Sequence, residues 1–163
     1  MQFINYFFAS LISFLGLAIG ILLIEIAPEE QKPLEKNFSL LRKNFLFLIF
    51  IFLIIYYFKS LFYSLAIVFF ALFIFFVESK NDNLLRKSML SYPVLGILFF
   101  LSLDNSNLFT IESSLILLHG IPTASLLYKK KEKNYYKVLF YNFGFILIAN
   151  LLFFITTISH PLF

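Results

Sequence analysis

Cysteine and tryptophan are both absent from the 163 residues of this chain. Without a thiol the chain can form neither a disulfide nor a cysteine-ligated zinc or iron–sulfur site, and it has no thiol nucleophile. The sequence also lacks a P-loop and the GxGxxG, HExxH and GxSxG motifs, so the common nucleotide-binding, zinc-protease and serine-hydrolase mechanisms have no candidate residues. We therefore expect no cofactor and no metal, and the sequence favours a protein that is not an enzyme.

Charge is also in short supply. Charged residues make up 13% of the chain, about half the share of an ordinary soluble domain, whereas 61% of the residues are hydrophobic. A soluble fold of this size has too much surface for its volume to bury so much apolar material. The composition therefore predicts an integral membrane protein, with residues 1–163 forming a single membrane domain surrounded by membrane lipids.

Apolar segments recur along the chain, and a helix that crosses the hydrocarbon core needs about 20 such residues. They predict an all-α bundle of six transmembrane helices over residues 3–24, 40–58, 60–77, 90–103, 108–128 and 135–158. We interpret the first segment as a retained helix rather than a secretory signal, because no Lys or Arg precedes Lys32.

The second and third segments are separated only by Lys59 and Ser60, so they have to be distinguished from one long helix. A single helix over residues 45–77 would be about 50 Å long, well beyond a hydrocarbon core of about 30 Å. A tight hairpin at Lys59 is therefore the better interpretation, and it raises the number of spans from five to six.

Basic residues are concentrated in three connecting stretches. Residues 32–43, 80–87 and 129–137 hold 12 of the 13 Lys and Arg residues, and the remaining one is Lys59. Six spans place all three stretches on one side, and Lys and Arg accumulate on the cytoplasmic side of membrane proteins. The sequence therefore predicts an N-out/C-out protein of the plasma membrane, whose net charge of +4 reports orientation rather than nucleic-acid binding.

Small residues recur at helical spacing in the first segment, where Ser13, Gly16 and Gly20 share a face. With so little side chain in the way, two helix backbones can approach closely, and such contacts drive helix association in lipid. We expect this face to pack against another helix of the same chain. The alternative is a contact in a homo-oligomer or with another membrane protein.

The fifth segment carries ionisable residues that membrane helices normally lack. Glu112 and His119 are seven residues apart, which places them two turns apart on one face, and Thr123 continues that face. Asn150 lies at a comparable depth in the sixth segment, so these side chains predict a polar seam between the fifth and sixth helices. A Glu and a His in such a seam could relay a proton or hold a cation, since ionisable groups inside a span usually serve a function.

Gly120 and Pro122 lie beside His119 and predict a break in this helix. Proline lacks the N–H that a helix needs and clashes with the carbonyl of Leu118, while glycine adds conformational freedom. Broken helices at mid-depth expose backbone carbonyls, from which several transporters build ion and substrate sites.

Two interpretations of function stay open. In the first, the seam belongs to a small transporter, a channel or a transport-complex subunit for an ion or small solute. In the second, Glu112 reaches water at the membrane surface, while His119 and Asn150 only hold helices together. The chain would then be a structural or accessory protein that binds lipid or another membrane protein. A lipid-modifying enzyme is a weaker third alternative, because no acid–base or nucleophile set is recognisable.

Single cysteines introduced into this cysteine-free chain test the orientation. Lys59→Cys and Asn105→Cys are expected to react with a membrane-impermeant maleimide added to intact cells, whereas Lys36→Cys and Asn83→Cys should react only after permeabilisation. Reaction of the Asn83→Cys variant in intact cells would contradict the six-span topology.

Overall fold

The computed structural model describes residues 2–80, 83–129, 132 and 134–159, and this described part is helical without a strand. Six spans are long and apolar enough to cross a membrane, which confirms the number predicted from the sequence. The helices are α1 Phe3–Ile26, α2 Gln31–Tyr57, α3 Leu61–Lys80, α4 Leu84–Leu101, α5 Ser106–Leu127, α6 Tyr135–Asn142 and α7 Gly144–Ser159. A tight turn around Lys59 joins α2 to α3, and α6 and α7 together form the sixth span.

Prolines and asparagines account for where several helices begin. α2 starts at Gln31 rather than near residue 40, because Pro33 falls in its first turn, where a backbone N–H has no intrahelical partner in any case. A short 3₁₀ turn at Pro28–Glu30 leads into it. Asn83 and Asn105 cap α4 and α5, since each side-chain oxygen accepts a backbone N–H of the first turn at 3.0 Å.

The sixth span is divided in two, although the sequence predicts one helix over residues 135–158. A turn at Phe143 separates α6 from α7. Gly144 follows that turn, and a Cβ atom added there would lie 3.1 Å from Pro93 Cγ of α4. The proline ring of α4 therefore packs against the sixth span at the point where the helix is interrupted.

α5 lies at the centre of the bundle. It packs most extensively against α1 and α2, and it also contacts α4. α4 in turn packs against α7, whereas α3 packs mainly on α2 and α4 and is the least enclosed span. The most enclosed span is thus α5, the one that carries Glu112 and His119.

Three glycines bring the backbones of α1 and α5 into direct contact. A Cβ atom added at Gly16 would lie 1.9 Å from the carbonyl oxygen of Leu117, and one at Gly20 would lie 2.2 Å from that of Ile121. Gly120 faces back towards Gly16, whose backbone its added Cβ would meet at 2.8 Å. The order of these contacts shows that α1 and α5 run parallel, and only glycine allows so close an approach.

The small face of α1 is therefore used inside the chain. Gly16 and Gly20 are buried, and so is Ser13, whose hydroxyl donates to the carbonyl of Ala9 at 2.9 Å. Ser125 of α5 adds a hydrogen bond across the contact, from its hydroxyl to the Gly20 carbonyl at 3.2 Å. Ser13, Gly16 and Gly20 consequently offer little surface for a contact with a second copy of the chain.

Polar side chains link α1 and α2 to the C-terminal end of α5, close to the turn between α1 and α2. Gln31 donates its side-chain amide to the carbonyls of Ser125 and Tyr128, both at 2.7 Å, and the Tyr128 hydroxyl donates to the Glu25 carboxylate. Gln31 thereby satisfies carbonyls that are left unpaired at the C-terminal end of α5. The hydrogen bond to Glu25 raises the pKa of the Tyr128 phenol to about 12.

Replacing Gly16 by alanine is expected to lower the thermal stability of the purified chain in detergent, because the new methyl group would overlap the Leu117 carbonyl. Overpacking of this kind costs about 1–3 kcal/mol. Gly144→Ala is the matched control, since its methyl group meets only the Pro93 side chain, at 3.1 Å. If the Gly16→Ala variant had the same melting temperature as the wild type, that result would contradict the close contact between α1 and α5.

Candidate functional site

Glu112, His119 and Thr123 lie on one face of α5, and all three are buried. Their spacing of seven and four residues puts His119 two turns after Glu112 and Thr123 one turn after His119. Because α5 is the central helix, this face turns into the bundle and not towards its outer surface. The described structure therefore encloses a row of polar groups along α5.

His119 connects α5 to α2 and α4. Its Nδ1 atom is 3.1 Å from the backbone carbonyl oxygen of Arg42, and a carbonyl can only accept, so Nδ1 carries the hydrogen in this contact. The Thr123 hydroxyl donates to the His119 carbonyl at 2.7 Å and lies 3.4 Å from Nε2. The Tyr92 ring of α4 lies beside the imidazole, with 6.0 Å between the ring centroids.

A buried ion pair adjoins His119. Arg42 of α2 pairs with Glu78 of α3 through both guanidinium Nη atoms, and Nη1 donates to Oε2 at 2.9 Å. Only 3% of the Arg42 side chain and 12% of the Glu78 side chain are exposed, so neither charge is well solvated. Such a pair is stable only while both partners are present, because removing one leaves an uncompensated buried charge.

Arg42, Glu78, Tyr92, His119 and Thr123 form what we call the polar cluster, which draws on α2, α3, α4 and α5. The Tyr92 hydroxyl approaches Thr123 and Arg42, but neither it nor Arg42 Nε has a hydrogen-bond partner of normal geometry among the described residues. Since most buried polar groups are paired, these two atoms are the unsatisfied hydrogen-bonding groups of the cluster.

Glu112 stands apart from the polar cluster, two turns along α5 from His119. Both carboxyl oxygens are buried and, within the described ranges of the chain, neither accepts or donates a hydrogen bond. An unpartnered carboxylate in an apolar surrounding is strongly disfavoured. On this face, the charge state of Glu112 therefore depends most on whether water, a proton or a cation reaches its carboxyl group.

Asn150 does not join this row. Its side-chain amide donates to the Ser10 hydroxyl of α1 at 3.1 Å and to the Ile146 carbonyl at 2.8 Å. α1 packs against both α5 and α7, and no hydrogen bond between described residues links Asn150 to Glu112. On this face of α5 it is His119 that meets other helices, and they are α2 and α4 instead of the sixth span that the sequence predicts.

α5 runs without interruption from Ser106 to Leu127, which corrects the break expected at Gly120 and Pro122. Pro122 removes the backbone donor that the Leu118 carbonyl would otherwise accept, and the hydroxyls of Thr123 and Ser125 donate to the nearby carbonyls of His119 and Ile121, at 2.7 and 2.9 Å. Hydroxyl side chains and neighbouring helices commonly make proline tolerable inside a membrane helix. Gly120 serves the close contact with α1.

The sequence does not single out Arg42, Glu78 or Tyr92 as site residues. Arg42 counts there as one of the basic residues of a connecting stretch, whereas the structure places it within α2, on the buried face that continues through Leu46 and Ile49. That spacing is visible in the sequence. From Phe45 onwards, however, the other faces of α2 are equally apolar, so the sequence does not distinguish the inward face from the outward ones.

Comparison with protein-family models, with curated proteins and with solved structures finds no match for this chain. Its function therefore has to be argued from the site. Among the described residues, no group of three or more His, Cys, Asp or Glu side chains is placed to hold a metal ion. The site offers instead a row of buried hydrogen-bonding and ionisable groups, of which a carboxyl and an imidazole can each bind a proton.

Removing one partner of the Arg42–Glu78 pair is expected to destabilise the bundle. Glu78→Gln leaves the buried guanidinium without its counter-charge and should lower the free energy of unfolding by about 3–5 kcal/mol. The double variant Arg42→Met/Glu78→Met should regain part of that loss, because no charge is then left buried. Unfolding in mixed micelles of mild and denaturing detergent measures both effects.

Glu132→Gln provides the matched control for this prediction. Lys129 and Glu132 form an ion pair whose side chains are 65% and 59% exposed, and pairs so exposed contribute about 0–1 kcal/mol. Equal losses of stability for Glu78→Gln and Glu132→Gln would argue against the enclosed position of the Arg42–Glu78 pair.

Proposed function

We propose that this protein spans a membrane six times and moves a proton or another small cation, as a transporter, a channel or a subunit of a transport complex. The observation that carries the proposal is the row of buried polar groups along α5, from Glu112 through His119 to Thr123. Ionisable side chains inside a membrane span are expensive and usually serve a function.

Glu112 is the group best suited to bind the ion. Both carboxyl oxygens are buried without a partner in the described part of the chain, so a proton or cation would meet no competing donor there. Binding a proton removes the charge, and the neutral form is favoured in an apolar surrounding. Release of the proton requires water to reach the carboxyl group, so hydration of this position would govern loading and release.

His119 would extend the path towards the other side of the membrane. It lies about 10 Å from Glu112 along α5, at 1.5 Å per residue, which is too far for a direct transfer. A proton would therefore cross this gap through water or through a movement of α5 against α2 and α4. His119 belongs to the polar cluster, and within that cluster the path continues past Thr123 and Tyr92.

The orientation that we propose follows from the distribution of the basic residues along the chain. Arg42 is paired inside the bundle, and 11 of the other 12 basic residues fall within residues 32–43, 80–87 and 129–137, which six spans place on one side. We place that side in the cytoplasm and both termini outside, in the plasma membrane. Glu112 then lies in the outer half of the membrane and the polar cluster in the inner half.

A second candidate function is that of an accessory protein that binds lipid or another membrane protein. The observation that favours it is the large exposed apolar surface of α3, where Phe62, Phe69 and Phe75 stand well out from the bundle. A span that is so little enclosed contributes little to the core, so its surface is available to lipid or to a partner helix.

Proteoliposomes with a trapped pH-sensitive dye test the transport proposal. Under an imposed potassium diffusion potential, the wild-type protein should admit protons faster than protein-free liposomes do. Glu112→Gln should reduce the flux to the protein-free level, because an amide does not take up a proton at neutral pH. His119→Ala should reduce it as well, since the imidazole is the next group along the path.

Glu29→Gln is the control, because Glu29 is an exposed carboxylate in the 3₁₀ turn before α2. This variant should keep the wild-type flux, and all variants should retain the thermal stability of a folded chain. If folded wild-type protein passes neither protons nor sodium or potassium ions, the chain does not transport cations alone, and the accessory function becomes the better candidate.

A further inference from the structure

An apolar groove runs along the outside of the bundle between α2 and α3. Its volume is about 670 Å³, and its walls come from Phe47, Phe50 and Ile54 of α2 and from Val68, Leu72 and Phe75 of α3. At one end the lining becomes polar, with Lys43 on one side and Glu78 on the other. We call this feature the α2–α3 groove.

A basic hollow adjoins the groove at its polar end. The hollow has a volume of about 600 Å³, and its lining includes Lys32, Lys36 and Lys43, with Glu35 as its acidic residue. The three lysines follow one face of α2, at spacings of four and seven residues. Lys43 lines both features, so the apolar groove and the basic hollow are continuous at this residue.

The charges at this junction favour an anion. Glu78 lies at the end of the groove, but Arg42 neutralises it, whereas Lys43 is exposed and forms no ion pair with any residue that the structure describes. Three lysine charges against that of Glu35 leave the hollow with a net charge of +2. Basic pockets beside membrane helices on the cytoplasmic side are suited to anionic lipid headgroups.

The groove has the depth of one lipid leaflet. From Lys43 to Ile54, α2 rises about 16 Å at 1.5 Å per residue, which is about half of a hydrocarbon core of about 30 Å. An acyl chain whose headgroup is held at Lys43 would therefore follow the groove and end near the middle of the bilayer. A free anion would leave the apolar walls uncovered, so the combination selects a lipid.

We propose that the α2–α3 groove and the basic hollow bind one anionic phospholipid. An acyl chain occupies the groove, the phosphate lies at Lys43, and Lys36, about 10 Å further along α2, lies towards the outer end of the headgroup. The site is separate from the row of polar groups on α5, so this proposal holds whether or not the protein transports a cation. It rests only on the insertion of the six spans into a membrane.

Native mass spectrometry of the purified full-length chain tests this site. The protein in detergent is titrated with dioleoyl phosphatidylglycerol or with dioleoyl phosphatidylcholine, which carry the same acyl chains and differ in the charge of the headgroup. One phosphatidylglycerol should be retained in preference to phosphatidylcholine. Lys43→Gln should weaken that retention about fivefold, the effect expected for one lysine close to an anionic lipid.

Two further variants distinguish the contribution of the headgroup to binding from that of the acyl chain. Lys59→Gln removes an equal charge at the opposite end of α2 and should leave retention unchanged. Ala71→Phe fills part of the groove wall and should weaken the binding of both lipids while thermal stability is kept. Three results would overturn the proposal. They are equal retention of the two lipids, unchanged lipid binding by the Lys43→Gln variant, and the detection of dimers of the chain in place of a lipid-bound monomer.

Discussion

The arrangement of this bundle depends on the contact between the backbones of α1 and α5. Gly16, Gly20 and Gly120 leave no room for even one methyl group at their Cα atoms, so the two helices touch over several turns. In lipid, where helices gain little from the hydrophobic effect on association, such close packing is a principal source of stability. It also holds α5 at the centre, from which α2 and α4 are within reach.

The central position of α5 decides what its polar face can contact. Its ionisable residues turn inward, and His119 meets the carbonyl of Arg42 on α2 and the ring of Tyr92 on α4. Away from water, buried polar groups have to find partners within the protein. His119 and Thr123 do so, whereas Glu112 has none among the described residues. This contrast makes Glu112 the focus of the proposed ion movement.

The Arg42–Glu78 pair connects the interior of the bundle to its outer surface. Arg42 presents its backbone carbonyl to His119 and its guanidinium to Glu78 of α3. Because this pairing cancels the charge of Glu78, the neighbouring Lys43 dominates the polar end of the α2–α3 groove. α3 is little enclosed elsewhere, so the ion pair both fastens this helix to α2 and shapes the proposed lipid site.

The sequence alone determined six apolar spans, the hairpin at Lys59 and the shared face of Glu112 and His119, because span length and helical periodicity are local properties. Only the tertiary structure decided that Arg42 turns inward and that α5 stays continuous through Pro122. Both outcomes depend on which helices become neighbours. In a chain whose helices are apolar on every side, the pattern of side chains does not distinguish a face that meets another helix from one that meets lipid.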